Sequence, residues 1–147
     1  MSKNIGIIGN GFVGSAVEFG FSAQTNCDAV VRVYGKNPVK SIHTLNETVN
    51  KSEFIFVSVP TPSNSDGSMN VNILESALMD IQRVNNKKNI ILIRSTILPG
   101  TTTKLQNKFK KLNLVFNPEF LTERSAKFDF INQSRFILGG RKKSQLE

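Results

Sequence analysis

Six short apolar runs recur along the chain, separated by stretches of helical length. The runs cover residues 5–8, 29–34, 54–59, 90–93, 112–116 and 135–138, and they are rich in Ile, Val and Phe. A strand with one wet face alternates apolar and polar residues, whereas a strand covered on both faces reads as a continuous apolar run. The runs therefore predict strands of a mostly parallel, buried sheet. Between them, 12–23, 45–51, 71–84 and 101–110 read as helices. Thr44 with Glu47, and Asn72 with Glu75, have the spacing of a capping box near two of the helix starts. Strand and helix in regular succession imply an α/β, doubly wound fold. Its six-stranded sheet would carry helices on both faces, joined by right-handed crossovers.

The 147 residues suit one domain, taken as 1–147, with enough chain to bury a core. No apolar run approaches the roughly 20 residues that span a bilayer, and the amino terminus does not resemble a signal peptide. No membrane partner is expected. A single cysteine, Cys27, and a single histidine, His43, argue against a disulfide framework and against a zinc site, so no metal is expected. The cytoplasm is the default compartment. The net charge of +8 raises the question of nucleic acid. The basic residues, however, are spread over Lys87-Lys88, the stretch 104–111 and the tail Arg141-Lys142-Lys143. No aromatic residues interleave with that tail, as a single-strand binder requires. A nucleic-acid partner is not expected. The charge suits a small, phosphate-rich ligand equally well.

Gly9-Asn10-Gly11-Phe12-Val13-Gly14 follows the first run and opens the first helix. A lone G-x-G-x-x-G is a weak signal, but this one has the strand-to-helix context that gives it meaning. Gly9 permits the tight turn, Gly11 lets a pyrophosphate approach the backbone, and Gly14 lets helix and strand pack closely. The helix amino terminus adds free N–H groups and partial positive charge. The arrangement predicts a Rossmann-type, dinucleotide-binding domain. The second strand of such a domain usually ends in an acidic residue that accepts from the ribose hydroxyls. Here Val33-Tyr34-Gly35-Lys36-Asn37 puts Gly35 in that position. Losing the carboxylate removes a ribose contact and also a repulsion toward a 2′-phosphate, which Lys36, with Lys40 as a second candidate, would attract. Two readings stay open: acceptance of NADP, or a plain substitution that weakens NAD binding.

Asn117-Pro118-Glu119-Phe120-Leu121-Thr122-Glu123 follows the fifth run. Ligands of open α/β sheets bind beyond the carboxyl ends of the strands, which is where these two carboxylates fall. Glu119 and Glu123 are either a solvated i,i+4 pair on a capped helix or ligand-facing groups. Like charges at that spacing repel slightly on a free helix.

Further motifs follow in order: Val57-Ser58-Val59-Pro60-Thr61-Pro62, Arg94-Ser95-Thr96-Ile97-Leu98-Pro99-Gly100-Thr101-Thr102, Glu123-Arg124-Ser125-Ala126-Lys127-Phe128-Asp129-Phe130 and Arg135-Phe136-Ile137-Leu138-Gly139-Gly140. Together with the glycine turn they resemble the amino-terminal, NAD-binding domain of the UDP-glucose/GDP-mannose dehydrogenase family, over nearly the whole chain. The resemblance is strongest to UDP-glucose 6-dehydrogenases. It implies oxidation of the C6 alcohol of a nucleotide sugar to a carboxylate, in two hydride transfers to NAD. By the same resemblance Val59, Pro60, Thr61, Pro62 and Ser63 line the adenosine side, and Ser95, Thr96 and Ile97 approach the nicotinamide half. Thr96 would hold a water or substrate oxygen, Glu119 would serve as general base for thioester hydrolysis, and Glu123 would contact cofactor or organise the site. Phe120 and Leu121 would offer backbone contacts to the sugar nucleotide.

Departures from the family pattern qualify that expectation. Nothing in the chain matches the glycine-rich motif that carries the family's nucleophilic cysteine, and Cys27 is read as an ordinary small residue. The family's helix-borne lysine and asparagine, its central helix and its UDP-sugar-binding domain are also unmatched. Arg94 stands where lysine is common, and the segment between Asn37 and Phe54 is short. The chain alone is therefore expected to bind dinucleotide without completing the oxidation. A nucleotide sugar would become a partner only with a second domain, and oligomerisation stays open. A non-catalytic dinucleotide-binding or regulatory module is the alternative, and a relative of the β-hydroxyacid dehydrogenases ranks below both.

Overall fold

Strands that are apolar on both faces require cover on both sides, and the chain supplies it with helices on both faces of the sheet. The computed structural model describes residues 2–140. Its strands are β1 (Lys3–Ile8), β2 (Ala29–Tyr34), β3 (Phe54–Val57), β4 (Ile90–Ile93), β5 (Asn113–Phe116) and β6 (Gly139–Gly140). Its helices are α1 (Phe12–Gly20), α2 (Leu45–Asn50), α3 (Asn72–Val84), α4 (Thr101–Lys108) and α5 (Ala126–Asn132). The sheet order is β2-β1-β3-β4-β5-β6. β1 to β5 are parallel, with Ile5 opposite Phe54 and Val57 opposite Ile93, and β6 runs antiparallel to β5.

The period-2 alternation of strand side chains divides the interior into two cores. Ile55, Val57, Ile91, Ile93 and Leu114 meet Val49 of α2, Leu74, Leu78 and Ile81 of α3, and Leu105 of α4. Ile5, Ile7, Phe56 and Leu92 face the other way, onto Ala16 and Val17 of α1 and Ala126 and Phe130 of α5. Ile55, Ile7, Leu78 and Ile93 are fully buried. Burying each such side chain stabilises the fold by about 1.5–3 kcal/mol. Gly20 is where α1 and α5 touch, since a Cβ there would occupy the place of the Phe130 ring.

Several expectations change on contact with the structure. The run at 135–138 is not a strand: Phe136, Ile137 and Leu138 are exposed, and Gly139–Gly140 makes the pairing instead, with the opposite polarity. β2 is an edge strand with Val30 exposed, so its apolar run does not signify burial on both faces. Thr44 and Glu47 form their capping box, with the Thr44 hydroxyl accepting from the Glu47 amide at 3.2 Å. The pairing of Asn72 with Glu75 does not form. Val71 occupies the cap position of α3, and Asn70 accepts from the Asn72 amide at 2.9 Å, turning the chain one step earlier. Helix α5 was not anticipated, because it buries only Ala126 and Phe130 and leaves Phe128 and Ile131 exposed.

Candidate dinucleotide-binding cleft

The chain runs from β1 through α1 to β2 on one side of the sheet, then through α2 back past β1 to β3 on the other. A crevice opens where the winding reverses, beyond the carboxyl ends of β1 and β3. A cleft of about 590 Å³ occupies that place. Its walls are the glycine turn, the ends of β2, β3 and β4, one face of α3, and Glu119.

The three turn glycines are required for three different reasons. Gly9 has φ +94°, and a Cβ there would strike the Ser58 carbonyl at the end of β3. Its amide donates to the Tyr34 carbonyl at 2.9 Å, so the turn is pinned between β2 and β3. A Cβ on Gly14 would run into the carbonyl oxygen of Gly9, which fixes how closely α1 starts against the turn. At Gly11 a Cβ would meet nothing within 4 Å, because the residue faces the cleft. Close packing accounts for Gly9 and Gly14. Gly11 leaves open space at the start of α1. No side chain caps α1 at Gly11; its first amides are directed as an anion site requires.

Beyond β2 the cleft is lined by Tyr34, Gly35, Lys36 and Asn37, none of them acidic. Lys36 is exposed at the rim, and the Gly35 amide donates to the Ser41 hydroxyl at 3.3 Å. The side chain of Lys40 and the basic tail from Arg141 onward lie outside the described residues.

The ends of β3 and β4 are clamped together by Ser95. Its hydroxyl donates to the Val59 carbonyl at 2.7 Å and accepts from the Val59 amide at 3.1 Å. The Thr61 hydroxyl donates to the Thr96 carbonyl at 2.7 Å, so that donor is already engaged. Val59, Pro60, Thr61, Ser95 and Thr96 all line the cleft, while Pro62 is exposed beyond it. Asn10, Phe12 and Val13 line it with the glycine turn.

After β5 the two acidic residues part company. Residues 119–122 are not helical, so Glu119 and Glu123 are not a pair on one helix. Glu119 lines the cleft, and its Oε2 accepts from the Leu121 amide at 2.7 Å. Glu123 opens a 3-10 turn, is exposed, and lies outside the cleft lining. Phe120 and Leu121 border a separate hollow with Asn132 and Arg135; Phe120 is 72% exposed. Asp129 organises this loop, accepting from the Thr122 amide at 2.8 Å and the Ser125 hydroxyl at 3.0 Å. These bonds hold its carboxyl below the usual value of 3.8.

Some cleft residues escaped the sequence reading. Ile73, Ala77 and Asp80 of α3 line the cleft at i, i+4 and i+7, a spacing that reads as an ordinary core stripe. Arg94, which in the sequence reads only as a departure from lysine, is another. It is 1% exposed and lines the cleft, and its Nη1 donates to Asn117 Oδ1 at 2.6 Å. A charged residue directly after an apolar strand was the available signal. Among the described residues no helix is long and apolar enough to cross a membrane, and no cluster of three or more His, Cys, Asp or Glu side chains is arranged to hold a metal ion.

Residues 28–147 match the family model of the UDP-glucose/GDP-mannose dehydrogenase family, NAD binding domain. The UDP-glucose 6-dehydrogenase of Campylobacter jejuni is 32% identical over 160 residues, covering 90% of this chain and 40% of that protein. The chain thus spans less than half the length of that relative. Among solved structures, a UDP-glucose dehydrogenase from Pyrobaculum islandicum superposes with a TM-score of 0.82 at 23% identity, over 98% of this chain and 42% of that one. A GDP-mannose dehydrogenase from Pseudomonas aeruginosa gives 0.79 at 21% identity, over 95% and 41%. At such identities the structural likeness speaks for the fold alone.

Proposed function

Since the chain belongs to the UDP-glucose/GDP-mannose dehydrogenase family by its NAD binding domain, we propose that its cleft serves a nucleotide-sugar 6-dehydrogenase of the UDP-glucose type. In that role it holds the dinucleotide while a C6 alcohol is oxidised to a carboxylate. The observation that carries the reading is the contrast within the turn: Gly9 and Gly14 are needed for packing, whereas a Cβ at Gly11 would meet nothing within 4 Å. A bound nicotinamide dinucleotide supplies the hydride acceptor.

The chain's own residues do the rest. Gly11 and the first amides of α1 receive the pyrophosphate. The Ser95 clamp keeps the ends of β3 and β4 at fixed separation, and Thr96 presents its hydroxyl at the exposed rim. Glu119, held by the Leu121 amide within the cleft, is the general base of the proposed reaction. Glu123 lies exposed in the 3-10 turn, outside the cleft lining. The covalent nucleophile and the sugar-binding residues would come from a second half.

Lys36, with no carboxylate beside it at the end of β2, makes the cleft permissive toward a 2′-phosphate, so NADP binds as well as NAD. A non-catalytic dinucleotide-binding module is the competing reading, favoured by the exposure of Glu123. Calorimetric titration of the chain with NAD and NADP, followed by UDP-glucose turnover with and without the carboxyl-terminal half of a relative, tests all of this. Binding of both cofactors, with turnover only in the reconstituted mixture, is the expected result. Failure to bind either dinucleotide refutes both readings. Binding without turnover in any mixture favours the module.

A further inference from the structure

Arg94 is among the largest fully buried side chains of the domain, and its guanidinium is only partly matched. Nη1 is engaged with Asn117, whose own Nδ2 donates to the Ile137 carbonyl at 2.9 Å. The guanidinium carbon lies 5.5 Å from the centre of the Phe130 ring. Nε and Nη2, the edge that grips an oxyanion at two points, are buried and have no hydrogen-bond partner. No carboxylate makes an ion pair with it among the described residues. Burial pulls its pKa down to about 10, and the one charge acting in the opposite direction is Glu119. The group is therefore still a cation at neutral pH.

A buried cation with two unpaired donors is costly unless its field acts on something. The other charges nearby are accounted for. Lys36 and Asp80 lie on other walls of the cleft, after β2 and on α3. Asp129 is tied to Thr122 and Ser125, and Lys127 lies over the Phe19 ring at 5.2 Å. Arg135 borders the separate hollow, and Glu123 and Arg124 are exposed in the 3-10 turn. Arg94 and Glu119 line the same cleft, and Arg94 bonds Asn117, two residues before Glu119. We propose that Arg94 is the positioning residue of Glu119: its buried guanidinium supplies the fixed positive field that holds the Glu119 side chain on the Leu121 amide, inside the cleft. Leu121 sets the geometry and Arg94 supplies the field. The proposal deepens the reading of Glu119 as general base and rests on that reading for its catalytic meaning.

The test uses the 147-residue chain without cofactor, so it is independent of whether dinucleotide binds. Charge coupling is reciprocal, and Arg94 can be followed by arginine-selective nitrogen NMR during an alkaline titration. Glu119→Gln is expected to make Arg94 lose its proton roughly tenfold more readily than in the wild type, and Glu119→Asp to restore most of the difference. From the other side, Arg94→Met is expected to speed hydrogen exchange of the Leu121 amide roughly tenfold relative to other loop amides, whereas Arg94→Lys keeps it protected. Identical Arg94 titrations in wild type and Glu119→Gln overturn the proposal, and so does an unchanged Leu121 amide in a folded Arg94→Met. If Arg94→Met does not fold, the Arg94 titration decides alone. Coupling without dinucleotide binding supports the electrostatic link while removing the cofactor reading; dinucleotide binding without coupling does the reverse.

Discussion

At the β1–β2 end of the cleft the sterically demanding positions are backbone ones, the glycine turn and the start of α1, with Gly35 beyond them. At the β4–β5 end it is side chains: Arg94, Thr96 and Glu119, the first and last oriented by Asn117 and by the Leu121 amide. The difference teaches where each end can fail. A backbone site depends on the absence of Cβ atoms at a few positions and is held by the same packing that holds the sheet. A side-chain site depends on hydrogen bonds between loops, which carry less of the core and open more easily. The β5 end also leaves Phe120, Phe128 and Ile131 exposed.

The sharpest way to break the comparison is at Gly14. Gly14→Val drives a side chain into the Gly9 carbonyl. It is expected to cost at least about 3 kcal/mol of folding stability, read by urea denaturation. Next comes Asn117→Ala, which leaves Arg94 Nη1 and the Ile137 carbonyl without their partners. The expected loss is about 2 kcal/mol. Its amide shifts should concentrate in 117–138 and leave 9–14 unmoved.

Gly11→Val separates ligand from fold. Its Cβ enters open space at an ordinary φ of −84°, so stability is expected to stay within about 0.5 kcal/mol of the wild type. Affinity for NAD should fall at least roughly tenfold by calorimetry, since a phosphate loses its approach to the backbone amides. Equal loss of stability at Gly11 and Gly14 would erase the distinction drawn between the two glycines.

The smallest effect is acid sensitivity at the β5 end. Hydrogen bonds from Thr122 and Ser125 depress the Asp129 pKa in the folded state. Its contribution is therefore complete above the ordinary value of 3.8 and is lost as pH falls through the lower, folded value. The amides of Thr122 and Ser125 are expected to shift in that acid window before those of Gly9 and Gly11. In Asp129→Asn the early shift should vanish.

Much of the glycine-turn end was legible in the sequence, because its requirements are local. A glycine at φ +94° and a helix starting at Phe12 follow from six consecutive residues. Strands β1 and β3 to β5 were legible too, since a strand covered on both faces leaves a continuous apolar run, and β2 carries the same apolarity although it is an edge strand with Val30 exposed. β6 was misplaced because the same apolarity in Phe136 to Leu138 belongs to exposed side chains. The separation of Glu119 from Glu123 could not be read either. Their four-residue spacing fits a helix, whereas in the structure the Leu121 amide donates to Glu119 and the Thr122 amide to Asp129, so residues 119–122 stay out of helix.

By itself, then, the sequence determined the doubly wound class, the place of the switch-point crevice and the glycine turn that opens α1, all of which rest on periodicity and on short-range sterics. Only the tertiary structure decided which charges face one another. Arg94, Asn117 and Ile137 are 23 and 20 residues apart along the chain. They meet because parallel strands β4 and β5 lie side by side and end at the same level, with the segment before β6 folded back onto them. Burial there strips the guanidinium of water and makes Glu119 its opposing charge, a relation that no local spacing encodes.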